Sequence, residues 1–290
     1  MARVCGSAGN EFDFRGSGLK EVGISLAQSC AAYLRALVRA LCAGLLVSLV
    51  AHAQSSASAS ALTPAEIIAR SKPSVVLVGT FNPLATPRFS FRGTGFAVAD
   101  GTRIVTNAHV LPEPGSEQAS QLAVQVKQAS GAWELRKVLD LSLERAHDLA
   151  VLEIGAPALR PLPLKTELPE EGTEVLFIGF PIGGALGFSH VSHRGMVSAV
   201  TPVALPAPSS TTLNARNVSQ LRAGSFNILQ LDATAYPGNS GGPVLDARSG
   251  EVLGVINMVL IKNTKESVLA QPSGISYAIP IENVARILQR

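Results

Sequence analysis

A serine in a sharp turn is the residue of this sequence best placed to do chemistry. Ser240 lies in residues 236–243 (YPGNSGGP), a stretch too rich in glycine, proline and asparagine for an ordinary helix or strand. Such a turn holds the hydroxyl at a loop tip, where backbone N–H groups can converge on a developing oxyanion. The stretch therefore predicts a nucleophile for acyl transfer, provided that the chain also supplies a base and an acid.

Two further motifs supply those groups. Residues 106–110 (TNAHV) place His109 just after an expected strand, and residues 147–152 (HDLAVL) place Asp148 at the start of another. A serine hydroxyl needs a base to remove its proton, and the unperturbed pKa of histidine lies near neutral pH. An aspartate can orient the imidazole and stabilise its charged form. We interpret His109, Asp148 and Ser240 as one set.

Short strands must position these residues. From residue 75 onwards, short apolar or alternating runs are separated by glycine, proline, asparagine and aspartate, which indicates an all-β barrel or sandwich protein. The twelve predicted strands fall into six and six around a proline-rich stretch at 156–169, with His109 and Asp148 in the first half and Ser240 in the second. They are 75–79, 94–99, 103–106, 122–127, 134–141, 149–154, 174–180, 191–200, 227–231, 243–246, 252–259 and 274–279.

Two short helices frame the strands. Thr63 and Glu66 match a capping box around Pro64, which opens a helix to about residue 70. Apolar residues at helical spacing predict a final helix over 281–289. The site is expected in a cleft between two barrels, barrel one at about 73–155 and barrel two at about 170–280.

The motifs together resemble a known family. The order TNAHV, HDLAVL and GNSGGP is similar to the trypsin-fold serine endopeptidases, with the bacterial HtrA/Deg type as the nearest branch. Further matches are GTGF at 93–96, GMVSA at 195–199, DAT at 232–234 and GISYAIP at 274–280. The resemblance covers about residues 65–290 and implies two six-stranded antiparallel β-barrels of the trypsin type with a short C-terminal helix.

The resemblance also implies roles. His109 is similar to the general base and acid, Asp148 to the orienting acid and Ser240 to the nucleophile, while the N–H groups of Gly238 and Ser240 are expected to form the oxyanion hole. A side chain at position 238 would restrict the unusual backbone conformation that aims its N–H inward. The family's reaction proceeds through an acyl-enzyme and implies no metal or organic cofactor.

The specificity pocket follows from the same resemblance. Thr234, six residues before the serine, is expected at the floor of the pocket for the P1 residue, where trypsin has an aspartate. Cleavage after lysine or arginine is therefore not expected. One wall is expected near Asn257, Met258 and Val259, and Ile275 narrows the pocket, so that the sequence favours a small or medium aliphatic P1 residue.

The N-terminal region indicates export. Arg35 and Arg39 precede an apolar run over 40–51, and residues 51–53 (AHA) form a small-x-small cleavage pattern. We interpret 1–53 as a signal peptide with an over-long start, 54–62 as a linker and 63–290 as the protease domain. Periplasmic or secreted localisation in a bacterium is expected. The alternative is a membrane anchor facing the periplasm, if the segment stays uncleaved.

Composition narrows the partners. The net charge of +3 gives no support for nucleic-acid binding, so polypeptide substrates are expected. All three cysteines, Cys5, Cys30 and Cys42, precede the protease region, which therefore has no disulfide or thiolate. His190 and His193 could suggest zinc, but residues three apart in a strand point to opposite faces and no third ligand is near, so we expect no metal site. The oligomeric state is left open.

Two departures from the HtrA pattern concern regulation. The chain stops at Arg290, immediately after the protease region, and no C-terminal PDZ domain is expected. The loop at 202–224 is longer than usual for the family, and it lies at a position where the family has regulatory loops. Whether the enzyme is active without a partner is therefore open.

Other functions were weighed against an endopeptidase. The main alternative is a non-enzymatic pseudo-protease, or a chaperone-like binding protein, on the same fold. An esterase with the same triad is less favoured, because its serine elbow belongs to a helix-containing α/β pattern. The intact set of His109, Asp148 and Ser240 favours the enzyme.

Overall fold

The structure is a computed structural model that describes residues 33–35, 37–39, 62–113, 115–117, 121–183, 187–203, 226–258 and 274–289. The chain divides into two units at residue 60, and the second unit holds both barrels. In the first unit, residues 33–35 and 37–39 are helical. The cleavage pattern at 51–53, nearly all of the predicted linker and loop, and Val259 lie outside the described residues. No helix in the ranges above is long and apolar enough to cross a membrane.

Helix α1 opens the second unit at the predicted capping box. It spans Pro64–Ser71, with Thr63 as its N-cap. The Thr63 hydroxyl accepts from the Glu66 N–H, and the Thr63 N–H donates to the Glu66 carboxylate at 2.8 Å. Two of the orphan N–H groups at the helix start are thereby satisfied. The backbone N–H and the hydroxyl of Thr63 both donate to the Glu66 carboxylate and hold the pKa of this carboxyl below its usual value.

Barrel one is a closed antiparallel sheet of six strands. Its strands pair in the order β1-β2-β3-β6-β5-β4. Alternating and buried apolar runs end at glycine or polar turns, as the sequence predicts. The strands are β1 (Val75–Phe81), β2 (Phe89–Val98), β3 (Arg103–Asn107), β4 (Leu122–Lys127), β5 (Trp133–Glu144) and β6 (Leu149–Ile154).

Barrel two repeats the strand order of barrel one. Its pairing follows β7-β8-β9-β12-β11-β10, which is the order of barrel one with six added to each number. A short helix, α2 (Glu282–Leu288), follows the last strand. The strands are β7 (Glu174–Gly179), β8 (Val191–Val203), β9 (Phe226–Asp232), β10 (Pro243–Asp246), β11 (Val252–Ile256) and β12 (Ile275–Pro280). The predicted pair of six-stranded antiparallel barrels is confirmed.

Three apolar clusters stabilise the second unit. One fills barrel one, with Val78, Ile104 and Leu152 fully buried, and one fills barrel two. The third lies between the barrels and combines side chains from both, including Phe96 and Leu176. Burial of large side chains contributes about 1.5–3 kcal/mol each, so this shared cluster makes the barrels one stable body.

Both terminal helices take part in the shared cluster. Ile67 of α1 is buried in it together with Leu245 and Val252 of barrel two, although α1 precedes barrel one in the chain. Helix α2 follows barrel two, yet its last carbonyl, on Leu288, accepts a hydrogen bond from Arg103 of β3 at 3.2 Å. Helix α1, which precedes barrel one, thus packs against barrel two, and helix α2, which follows barrel two, contacts barrel one.

Candidate active site

His109 lies in a single 3-10 turn directly after β3. The turn spans Ala108–Val110 and leaves the imidazole partly exposed, with 27% of the side chain accessible to solvent. Arg92 of β2 holds the end of this turn, because its guanidinium donates to the carbonyls of Val110 at 2.5 Å and Leu111 at 3.2 Å. The histidine is therefore carried by backbone that is fixed on both sides.

Asp148 is held against His109 by two contacts. Its Oδ2 lies 2.5 Å from His109 Nδ1, and its Oδ1 accepts the His109 backbone N–H at 2.8 Å. Asp148 adopts the left-handed conformation, with φ at 53° and ψ at 43°, directly before β6. Aspartate tolerates this conformation better than most residues. Its backbone carbonyl is also occupied, by the Ala108 N–H at 3.0 Å and the Asn107 amide at 3.1 Å.

Asn257 completes the surroundings of the Asp148 carboxylate. Its side chain is fully buried, and its Nδ2 donates to Asp148 Oδ2 at 2.7 Å. The sequence placed Asn257 near a pocket wall and did not include this contact. The signal in the sequence that could have indicated this contact is the position of Asn257, which directly follows β11, as His109 follows closely after β3.

Ser240 lies in the loop between β9 and β10. It is 5% exposed, and its Oγ accepts the Met258 N–H at 3.3 Å. Adjacent residues therefore connect the two parts of the site, because Asn257 contacts Asp148 and Met258 contacts Ser240. The hydrogen bonds found among the described residues include none between Ser240 Oγ and His109.

Gly238 has the backbone conformation that the sequence predicts for it. Its φ is +101°, and a Cβ at this position would lie 2.2 Å from the Phe180 carbonyl oxygen. Glycine is therefore required on both conformational and steric grounds. Within the described part of the chain, no hydrogen bond uses the N–H of Gly238 or of Ser240, which leaves both donors for a ligand oxygen.

A neighbouring loop holds the peptide group that precedes Gly238. The Pro237 carbonyl accepts the N–H of Ile182 at 2.7 Å. Ile182 has a φ of +59°, a strained value for a β-branched residue. Because the carbonyl and the following N–H of a planar trans peptide point in opposite directions, this bond also sets the direction of the Gly238 N–H. No motif or pattern in the sequence points to this contact.

Asn239 and His193 form a buried polar pair beneath the serine loop. Asn239 is fully buried, and its Nδ2 lies 3.5 Å from His193 Nε2. The His193 ring stacks on Phe177 at a centroid distance of 4.5 Å, and burial lowers its pKa. His190 instead contacts the Val75 carbonyl at 2.9 Å, and its pKa is lowered mainly by burial. The two histidines therefore face different groups.

No cluster of three or more metal-ligating side chains occurs in the ranges that the structure describes.

Of the residues predicted for the specificity pocket, the structure describes Thr234, Asn257, Met258 and Ile275. Thr234 is half-buried between β9 and the serine, and Ile275 opens β12 opposite Asp232. The stretch beside Thr234 is anchored by Ser276 of β12, whose hydroxyl accepts the Ala235 N–H and donates to the Ala233 carbonyl at 2.7 Å. Met258 contributes its N–H to Ser240.

The chain is similar to known proteases. A sequence profile described as the trypsin-like peptidase domain matches residues 93–255. Protease Do-like 1, chloroplastic, of Arabidopsis thaliana is 30% identical over 218 residues, or 73% of this chain and 41% of that protein. Serine protease HTRA4 of Mus musculus is 31% identical over 228 residues, or 78% of this chain and 40% of that protein.

A solved structure shows the same fold. The serine endoprotease from Yersinia pestis superimposes with a TM-score of 0.53 at 25% identity, covering 79% of this chain and 66% of that chain. The chain spans about two fifths of the length of the curated relatives that it matches.

Proposed function

This chain belongs to the trypsin-like peptidase domain family, and from that premise we propose that it is an exported serine endopeptidase acting on exposed or misfolded polypeptide segments. The observation that carries the proposal is the pairing of His109 with Asp148. Two hydrogen bonds, at 2.5 and 2.8 Å, fix both the ring and the backbone of the histidine against the carboxylate. A histidine held in this way has the orientation that a general base requires.

The reaction begins with proton transfer from Ser240. Because His109 Nδ1 donates to Asp148, the neutral ring presents its unprotonated Nε2 as the acceptor. Ser240 Oγ attacks the peptide carbonyl carbon and transfers its proton to Nε2, and the imidazolium formed is stabilised by the Asp148 carboxylate. The N–H groups of Gly238 and Ser240 bind the resulting oxyanion.

The acyl-enzyme forms and is then hydrolysed. His109 returns its proton to the leaving amine, the C–N bond breaks, and the acyl group remains on Ser240 Oγ. Water then attacks the ester with His109 again as the base, which releases the carboxylate product and restores the serine. Apart from the substrate and this water, the steps use only side chains and backbone groups of this chain.

Specificity belongs to the proposal as well. Thr234 is the floor of the proposed P1 pocket, and Met258 and Ile275 limit its width. A threonine offers no negative charge for lysine or arginine, so a small or medium aliphatic P1 residue is preferred. A cleavage profile with a peptide library tests this directly.

Labelling with a fluorophosphonate probe tests the activity. The purified protein is expected to form a covalent adduct on Ser240, and Ser240→Ala is expected to abolish it. His109→Ala is expected to slow labelling by at least about 100-fold, because the hydroxyl then lacks its base. A folded wild-type protein that labels no faster than Ser240→Ala, with or without added unfolded protein, would refute the proposal.

One observation favours a second candidate, a binding protein on the same fold. Ser240 Oγ is engaged by the Met258 N–H, so the described structure shows the hydroxyl in a resting arrangement. Hydrogen bonds of catalytic residues are often long before substrate binds, and this arrangement is therefore compatible with an enzyme. Suppression of aggregation by both wild type and Ser240→Ala, without labelling of either, would favour the binding protein.

Export rests on the sequence alone. The apolar run at 40–51 and the cleavage pattern at 51–53 support removal of the N-terminal segment during transport to the periplasm or the medium. N-terminal sequencing of the protein recovered from a bacterial expression host tests this, and a mature chain that begins at Gln54 is expected.

A further inference from the structure

Thr94 connects barrel one to the loop that carries Ser240. It lies in β2, is fully buried, and directly follows Gly93. A Cβ at position 93 would lie 3.0 Å from the Ser240 carbonyl oxygen, so the glycine lets the serine loop approach the strand closely. The chemistry described above assigns Thr94 no part.

Every polar group of Thr94 has a partner in or beside the site. Its hydroxyl donates to the Gly238 carbonyl at 2.7 Å and accepts the Phe180 N–H at 3.2 Å. Its backbone N–H donates to the Ser240 carbonyl at 2.9 Å. A hydroxyl has one proton, so the bond to Gly238 uses its whole capacity as a donor.

Thr94 therefore holds two of the four carbonyls in the stretch 237–240. The other two are held by Ile182, whose N–H binds the Pro237 oxygen, and by Gly242, whose N–H binds the Asn239 oxygen at 2.9 Å. Those two bonds direct the N–H groups of Gly238 and Ser240, which follow the held carbonyls in the chain. The two Thr94 bonds hold the carbonyls of Gly238 and Ser240. These carbonyls belong to the peptide groups on either side of the peptide group that carries the Ser240 N–H.

The peptide group that follows Gly238 is held by two hydrogen bonds: its carbonyl accepts from the Thr94 hydroxyl at 2.7 Å, and its N–H, on Asn239, donates to the Tyr236 carbonyl at 3.0 Å. Glycine has no Cβ to restrict its backbone, so the peptide that follows it can turn at low steric cost. Without the Thr94 hydroxyl this carbonyl would be buried without a donor, and rotation would relieve that cost. Such a rotation would move the donors of the oxyanion hole away from their positions.

We propose that the Thr94 hydroxyl is a positioning group that keeps the oxyanion hole open, by tying the barrel that carries His109 to the loop that carries Ser240. The inference rests on the proposed function, because an oxyanion hole matters only to an acyl-transfer enzyme. It concerns the rate of the chemical step and not the binding of substrate.

Substitutions at position 94 separate this role from general stability. Thr94→Val keeps the shape and removes the hydroxyl, whereas Thr94→Ser keeps the hydroxyl. With the fluorophosphonate probe, we expect Thr94→Val to lower the maximal labelling rate by about 10- to 100-fold, since small displacements at a reacting centre have effects of this size. The probe concentration for half-maximal rate is expected to stay within about 3-fold of wild type. The pH dependence of the labelling rate is expected to keep the wild-type shape.

Two controls accompany this comparison. Thr94→Ser is expected to label within about 3-fold of wild type. Thr80→Val makes the same chemical change at another buried position of barrel one and is expected to label normally. If Thr94→Val does not fold, Thr94→Ala removes the same hydroxyl in a smaller residue and takes its place.

Hydrogen exchange keeps the inference testable even if wild type does not label. Amide exchange in residues 236–242 is expected to be faster in Thr94→Val than in Thr94→Ser, with the rest of barrel two unchanged. Equal labelling of the valine and serine variants overturns the inference while leaving the proposed function intact. If wild type itself fails to label, the proposed function fails, and equal exchange in the two variants then overturns the inference separately.

Discussion

At the scale of single residues, the Asp148 carboxylate is the most heavily bonded group of the site. It accepts from the ring and backbone of His109 and from the amide of Asn257. Hydrogen bonds to charged groups contribute about 1.5–3 kcal/mol each. The orientation of His109 therefore depends in part on Asn257, which is not itself part of the proposed triad.

Asn257→Ala tests this dependence. Loss of the amide leaves Asp148 Oδ2 with the contact to His109 alone. We therefore expect the fluorophosphonate labelling rate to fall by about 10- to 100-fold, because one charge-assisted hydrogen bond corresponds to a rate change of this size. Asn283→Ala, at a buried asparagine of α2 that binds the Pro280 carbonyl, is the control and should label normally. Equal rates in the two variants would contradict the expectation.

His193 is expected to make stability depend on pH. Burial lowers its pKa in the folded state, so below about pH 6.5 the unfolded chain binds a proton more readily than the folded chain. The free energy of unfolding should therefore fall as the pH drops from 7 to 5. His193→Phe retains a ring against Phe177 and should reduce this loss, as measured by urea unfolding at both pH values.

The remaining pH dependence should come in part from His190, whose pKa is also lowered. An identical loss in wild type and His193→Phe would show that His193 contributes nothing to the pH dependence.

At the scale of elements, turns decide whether the site forms. Gly238 and Gly131 both have a positive φ, +101° and +87°, but only Gly238 is closely surrounded. Gly238→Ala should therefore disrupt the oxyanion hole and lower the labelling rate by about 100- to 1,000-fold. Gly131→Ala, where a Cβ meets nothing within 4 Å, is the matched control.

The control variant should cost only the strain of a left-handed alanine, about 1–2 kcal/mol of unfolding free energy, and should label at the wild-type rate. If both variants label normally, the Gly238 N–H is not needed for the reaction.

Strands were the part of the fold most open to prediction. Alternation and turn residues located all of the described strands, and the capping box of α1 was read directly from Thr63 and Glu66. Four strand ends were misjudged by three residues or more: β2 begins at Phe89 and not at Thr94, β5 ends at Glu144 and not at residue 141, β8 ends at Val203 and not at residue 200, and β11 ends at Ile256 and not at residue 259. Local pattern could not reveal the end of β11, because the chain leaves the sheet where Asn257 contacts Asp148 in the other barrel.

The site was predictable only in part for the same reason. His109, Asp148 and Ser240 stand in short motifs, whereas Asn257, Thr94 and Ile182 act through contacts between distant segments. Ile182 illustrates the limit, because a β-branched residue gives no reason to expect a φ of +59°. Such contacts follow from the packing of one barrel on the other, which spacing along the chain does not encode.

At the scale of the whole molecule, the barrels are joined by a shared apolar cluster and by helices that cross between them. Ile67→Ala removes a buried side chain of α1 from the cluster beside barrel two, and we expect it to lower the unfolding free energy by about 2–5 kcal/mol. Trp133, the chain's one tryptophan, lies in β5 of barrel one and packs against the shared cluster, with its ring centroid 5.7 Å from that of Phe180. Its fluorescence therefore reports the shared cluster, and its transition should shift to a lower urea concentration.

Ile68→Ala is the matched control for Ile67→Ala. Ile68 is adjacent in the same helix but only partly buried against the cluster, so its loss should be smaller. A Trp133 transition that does not move in Ile67→Ala would show that Ile67 does not stabilise the shared cluster.

The position of α1 has a consequence for the chain while it is being made. Ile67 leaves the ribosome early, but Leu245 and Val252, which bury it, are translated roughly 180 residues later. At about 5–20 residues per second, the apolar face of α1 waits on the order of ten to forty seconds for its partners. Ser240 is translated at nearly the same moment as those partners, so the proposed nucleophile and the segments that bury α1 become available together.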